Sequence, residues 1–106
     1  MNDDQGFELL PGAAQDIREI WEFIAKDSPN SAKRIREEIM DAILRLVPFP
    51  HQGHLRSDIT SRPLRFQIVR DFLIAYAPDE RPIVVIAVFH GRRDPSAMAA
   101  ILRTRN

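Results

Sequence analysis

The sequence predicts an α+β domain of order β-α-α-β-β-β, with a helical hairpin packed on a small, mainly antiparallel sheet. Three observations predict it. Two stretches of the first half carry apolar residues at helical spacing. A Ser-Pro break separates those two stretches. Three short apolar runs of the second half are joined by polar turns, as in a meander.

Phe7-Glu8-Leu9-Leu10 alternates weakly and is stopped by Pro11-Gly12, so it reads as a short first strand. An amphipathic helix follows from about Ala13 to Lys26, with Ile17, Ile20, Trp21 and Ile24 at i, i+3, i+4 and i+7. Asp27-Ser28-Pro29 breaks and restarts the chain, Ser28 as N-cap and Pro29 at the first helical position. Ala32, Ile35, Ile39, Ile43 and Leu46 form the second stripe, which ends before Val47-Pro48 because a residue preceding proline resists helical angles. A polar loop spans His51 to Arg62. Leu64 to Ile68 then alternates with period two, Arg70-Asp71 turns into Phe72–Tyr76, and Pro78 to Arg81 turns into Ile83–Phe89. Pro95 to Leu102 reads as an added short helix.

The 106 residues fit one domain, 1–106, with 95–106 as a C-terminal extension. The N-terminus lacks the basic and apolar regions of a secretory signal, no apolar run is long enough to span a membrane, and there is no cysteine. A cytoplasmic protein without disulfides is therefore expected. The net charge of zero hides an asymmetry: residues 1–50 hold ten acidic and six basic side chains, residues 51–106 five and nine. All nine of those bases are arginine, whose planar fork suits phosphate and carboxylate.

Several chemistries find no support. Four scattered glycines make no phosphate loop, no serine sits in a nucleophile elbow, and His51 and His54 lack a third ligand, so neither metal nor cofactor is expected. What remains is Arg62, Arg65, Arg70, Arg92 and Arg93 with His90 and Tyr76. Arg65 lies on the pleat opposite Leu64 and Phe66, away from the expected helix-covered face. With the turn after the last strand placed where the second strand starts and the third finishes, Arg62, Tyr76, His90, Arg92 and Arg93 gather at one basic corner. Such a corner attracts phosphates or acidic protein surfaces. The plainer alternatives are a strand-end His90 bonded to its own turn, Arg92 and Arg93 paired with Asp94 or helix carboxylates, and Trp21 as packing.

Phe7-Glu8-Leu9, Pro11-x-Ala13, Asp16-Ile17-x-Glu19-Ile20-Trp21-x-Phe23-Ile24 and Ser28-Pro29-x-x-Ala32 form a recognisable series. Leu46, Pro50, Gly53, Arg65, Phe72-Leu73-Ile74-x-Tyr76 and Val85-x-x-Val88-Phe89-His90-Gly91-Arg92-Arg93-Asp94 continue it. In this combination the chain resembles the RelE/ParE superfamily of type II toxins, most closely its ParE-like branch. Phe23 stands where tyrosine is common, His54 where arginine is common, and the tail from Pro95 to Asn106 exceeds the pattern.

The resemblance implies a toxin neutralised by a cognate antitoxin, of the ribbon-helix-helix, ParD-like kind, laid along the toxin as an amphipathic helix and sometimes a strand. Ile17, Trp21, Ile24, Ile39 and Ile43 are the expected antitoxin contacts. Arg62, Arg65, Tyr76, His90, Arg92, Arg93, Arg103 and Arg105 are the expected target contacts. Two activities occur in the superfamily: inhibition of DNA gyrase, and cleavage of messenger RNA in the ribosomal A site. A cutting site here has to draw on His90, Arg65, Arg62 and Asp58, since arginine is no general base at neutral pH and the sheet half has no lysine. The balanced charge and that missing lysine favour gyrase over the ribosome with its mRNA. Outside the superfamily stands a third reading, a non-toxic interaction module.

Overall fold

The structure, a computed structural model, describes residues 6–106. The first five residues of the expected 1–106 domain, and with them the start of the N-terminal signal reading, lie outside the described residues. The order is β1 (Phe7–Leu9), α1 (Pro11–Ala25), α2 (Pro29–Leu46), β2 (Arg65–Val69), β3 (Phe72–Ala77), β4 (Ile83–His90) and α3 (Pro95–Arg103). The four strands form one sheet in the order β1-β4-β3-β2. β1 runs parallel to β4 and the other pairs are antiparallel, which is the α+β, mainly antiparallel architecture expected.

Local chemistry sets the helix starts. Ser28 Oγ accepts the Ser31 N–H at 3.2 Å, capping α2 with Pro29 at its first position. Pro11 opens α1, because the N–H of a helix's first residue has no intrahelical acceptor and proline loses no bond there. Asp94 caps α3 by accepting the Ser96 N–H at 3.0 Å.

The hairpin of α1 and α2 covers one face of the sheet. Ile17, Ile39, Ile43 and Leu46 pack there against Ile74, Tyr76, Val85 and Val88, and each such fully buried side chain stabilises the fold by about 2 kcal/mol. The opposite face is covered as well. Met98 and Leu102 of α3, with Ile59 and Leu64, close over Phe66, Leu73, Ile86 and Phe89. That second cover inverts one expectation. Leu64 and Phe66 face α3, so Arg65 points to the hairpin side, where it stands opposite Tyr76.

The register also corrects the expected corner. In a meander each strand reverses the last, so the end of β4 lies with the end of β2 and the start of β3. His90 stands opposite Phe72, and the Gly91 N–H donates to Asp71 O at 2.7 Å. Arg65 and Tyr76 lie at the other end of the sheet, four residues along β3 and roughly 13 Å away.

Candidate functional site

Tyr76 is fully buried and meets no solvent. Its hydroxyl donates to Pro50 O at 2.6 Å and accepts the Gly53 N–H at 3.0 Å, and burial pushes its pKa above the usual tyrosine value. It is a fastener between β3 and the loop after α2 and presents no exposed surface. Gly53 is required there by space: a Cβ would sit 2.6 Å from that hydroxyl and 3.0 Å from Phe66 O. Arg65 donates to Gly53 O at 2.9 Å from the same end of the sheet.

Two more of the expected contact arginines are also used internally. Arg62 donates to the carbonyls of Leu102 and Arg105, at 2.8 and 2.7 Å, in and just beyond the last turn of α3. Arg105 forms a two-pronged ion pair with Asp16 of α1, at 2.6 and 3.1 Å, and reaches Ile86 O at 3.2 Å. Asp16 also accepts the Val88 N–H at 2.9 Å. β1 pairs with β4 only at Ile83–Val85, so beyond it a carboxylate and a guanidinium occupy the β4 edge in place of a strand.

His90, Arg92 and Arg93 remain exposed, His90 as the last residue of β4 and the arginines on the turn leading to α3. The His90 ring meets Phe72 edge-on at 5.6 Å, and its Nδ1 accepts the Arg92 N–H at 3.2 Å. The Arg93 guanidinium lies 5.9 Å over the Phe89 ring. Asp94 is turned to its helix cap rather than to either arginine. Arg103 is exposed on the last turn of α3. Of the eight expected target contacts, the structure brings His90, Arg92 and Arg93 together and separates or buries the rest.

The set that RNA cleavage would draw on is not assembled. Arg65 is at the far end of the sheet from His90, and Arg62 holds α3. Asp58 is paired with Arg56 through two bonds of 2.8 Å, which holds its carboxyl below the usual range and makes it a poorer base.

The expected antitoxin contacts divide in the same way. Ile17, Ile39 and Ile43 are core, at 5% exposure or less, because the sheet already covers the stripe they form. Trp21 and Ile24 stay partly open at the stripe's margin. Two grooves flank α1. One, of about 440 Å³, is lined by Leu9, Ala14, Trp21 and Met40 with Arg18 and Arg36. The other, of about 700 Å³, runs between α1, β4 and α3 and is lined by Ile20, Phe23, Ile24, Phe72 and Ile101, with His90 and Arg93 on its rim. Phe23 is 73% exposed. The signal for it was in the sequence: Phe23 falls off the buried stripe of α1, so an aromatic ring there faces solvent.

Comparison with known proteins agrees with this anatomy. Residues 7–95 match the family described as the ParE toxin of the type II toxin–antitoxin system parDE. The match ends at the first residue of α3. A search of curated proteins finds no match. The fold is similar to a structure described as the chromosomal ParDE TA system from P. aeruginosa, with a TM-score of 0.67 and 15% sequence identity, covering 83% of this chain and 97% of that one. Two helices, a meander and a family match over nearly the whole sheet domain lead to one conclusion: this chain belongs to the ParE toxin family of type II toxin–antitoxin systems.

Proposed function

We propose that this chain acts in the cytoplasm as a toxin that inhibits DNA gyrase without a catalytic group of its own, and that a cognate ParD-like antitoxin neutralises it. The observation that carries this reading is the dispersal of His90, Arg65, Arg62 and Asp58, each fastened or placed apart from the others. Acid–base cleavage needs its groups within hydrogen-bond reach of one substrate. A protein that acts by contact needs only a presented surface, and the His90–Arg93 turn is one.

The antitoxin has a place to dock on either side of α1. Trp21 and Phe23 are large, rigid and exposed, the kind of anchor that an amphipathic helix covers. A pair that holds a toxin silent needs nanomolar affinity or better, about −12 kcal/mol.

Inducing the isolated chain in bacteria tests the reading. Growth arrest, filamentation and a DNA-damage response are expected, and Arg92→Ala with Arg93→Ala should reduce toxicity more than His90→Ala. Rapid loss of translation with cut messages selects ribosomal cleavage instead. Unchanged growth at good expression leaves a non-toxic interaction module.

A further inference from the structure

Residues 51–106 contain nine arginines, and six are occupied within the chain. Arg56 pairs with Asp58, Arg70 with Glu38 and Arg105 with Asp16, while Arg62, Arg65 and Arg81 bind backbone carbonyls. Among the described residues, the Arg92, Arg93 and Arg103 side chains make no hydrogen bond or ion pair, and all three are exposed. These three bracket α3, two before its N-cap and one in its last turn. Between them the outer face of α3 is small and uncharged, formed by Ser96, Ala97 and Ala100. Asp94, at the N-cap between Arg93 and Arg103, accepts the Ser96 N–H, and Asp71 sits on the neighbouring turn.

The hairpin carries free cations too, but of another kind. Arg18, Lys26, Lys33, Arg34, Arg36 and Arg45 share α1, α2 and their connection with Asp16, Glu19, Glu22, Asp27, Glu37, Glu38 and Asp41. That surface is charge-mixed. The α3 surface is net cationic: three arginines stand against one carboxylate, Asp94, which is engaged in capping the helix.

We propose that α3 with Arg92, Arg93 and Arg103 is a surface for the phosphate backbone of duplex DNA. Its cationic ends, Arg93 and Arg103, stand at either end of a nine-residue helix roughly 14 Å long, against a major groove about 12 Å wide. Arg93 and Arg103 therefore reach phosphates on opposite strands, and the short side chains of Ser96, Ala97 and Ala100 let the helix approach closely. Guanidinium suits this role because its fork bonds phosphate oxygens in pairs. No base is read, so binding is independent of sequence. The inference deepens the gyrase reading, since gyrase acts on a DNA duplex, but its test does not depend on gyrase.

The probe is a fluorescent 20-base-pair DNA duplex of mixed sequence, titrated with the full chain and read by anisotropy at several salt concentrations. Micromolar binding is expected at low salt, with log K falling against log salt at a slope of about −3 for three phosphate contacts. Arg92→Gln, Arg93→Gln and Arg103→Gln should each lower the slope by about one, and the triple variant should lose binding at least tenfold. Lys33→Gln, on the hairpin, should change neither. Because all four side chains are exposed, thermal melting should show every variant folded. Failure of the chain to bind the duplex, or an equal loss with Lys33→Gln, overturns the proposal. So does gyrase inhibition that falls in the triple variant while DNA binding persists, since the arginines then face an acidic protein surface. DNA binding by a chain that leaves gyrase supercoiling untouched supports this surface and sinks the gyrase reading alone.

Discussion

The two faces of the sheet are covered by different means. On the hairpin face, Ile17, Ile39, Ile43 and Leu46 lie at 5% exposure or less, and the contact is almost wholly apolar. On the opposite face a nine-residue helix contributes Met98 and Leu102, is capped locally by Asp94 at its start, and is tied down by Arg62 and Arg105 at its end. A helix of that length is marginal alone. It buries only two of its side chains fully, so the directional bonds at its ends add to its stability. The difference shows what arginine does in this chain. Where a helix or loop lacks apolar anchorage, an arginine fastens it, and only arginines free of that duty can meet another molecule.

The comparison can be broken at its strongest point first. Ile43→Ala on the hairpin face should lower the free energy of unfolding by about 4 kcal/mol, read from urea denaturation with an unchanged slope. Leu102→Ala on the opposite face should lower it by less, about 2 kcal/mol, because α3 can detach before the sheet opens. Hydrogen exchange should then quicken in α3 while β3 and β4 keep their protection. Equal global losses would make α3 as integral as the hairpin and remove the contrast.

Next comes the fastener that joins the two covers. Asp16 of α1 holds Arg105 beyond α3 and the Val88 N–H of β4, with both side chains of the ion pair at 20% exposure or less. Asp16→Ala leaves a guanidinium and an edge N–H without their carboxylate, a loss of about 3 kcal/mol. A double-mutant cycle with Arg105→Ala should show strong coupling. Independent effects, or a change within about 0.5 kcal/mol as for an ordinary surface residue, would mean that the clasp contributes nothing to holding α3.

The sheet domain was legible in the sequence because periodicity is a local property. Ile17, Ile20, Trp21 and Ile24 mark a helix whatever they later touch, and Ser28-Pro29 marks its successor's start. Faces and partners were not legible in the same way. Leu64 and Phe66 alternate with Arg65 on either assignment, and only the position of α3 decides which set is covered. Arg62 and Arg105 are 43 residues apart, and their carbonyl and carboxylate partners come from segments remote in sequence. Nothing in the chain near either residue announces those bonds. His90, Arg92 and Arg93 were found together because they are adjacent in sequence. The wider corner does not form because β4 ends beside the start of β3, whereas Arg65 and Tyr76 pair at the opposite end of the sheet.

The smallest effect belongs to the buried tyrosine on the hairpin face, and pH gives it a signature. Tyr76→Phe leaves Pro50 O and the Gly53 N–H without the hydroxyl, a loss of about 2 kcal/mol near neutrality. Burial raises the folded-state pKa of Tyr76 above its unfolded value, so the fold holds this proton more tightly than the unfolded chain does. The corresponding stability is fully present below about pH 10, the unfolded value, and is lost as pH rises through the folded one. Wild-type chain should therefore weaken in alkali more steeply than Tyr76→Phe, and the difference between them should narrow as pH climbs. Glu38 moves the other way, its pKa lowered by hydrogen bonding to exposed Arg70, so Glu38→Gln should flatten only the acid limb. Alkaline limbs that run parallel for the wild type and Tyr76→Phe would place the hydroxyl in contact with water, and with it return Tyr76 to the surface that the register denies it.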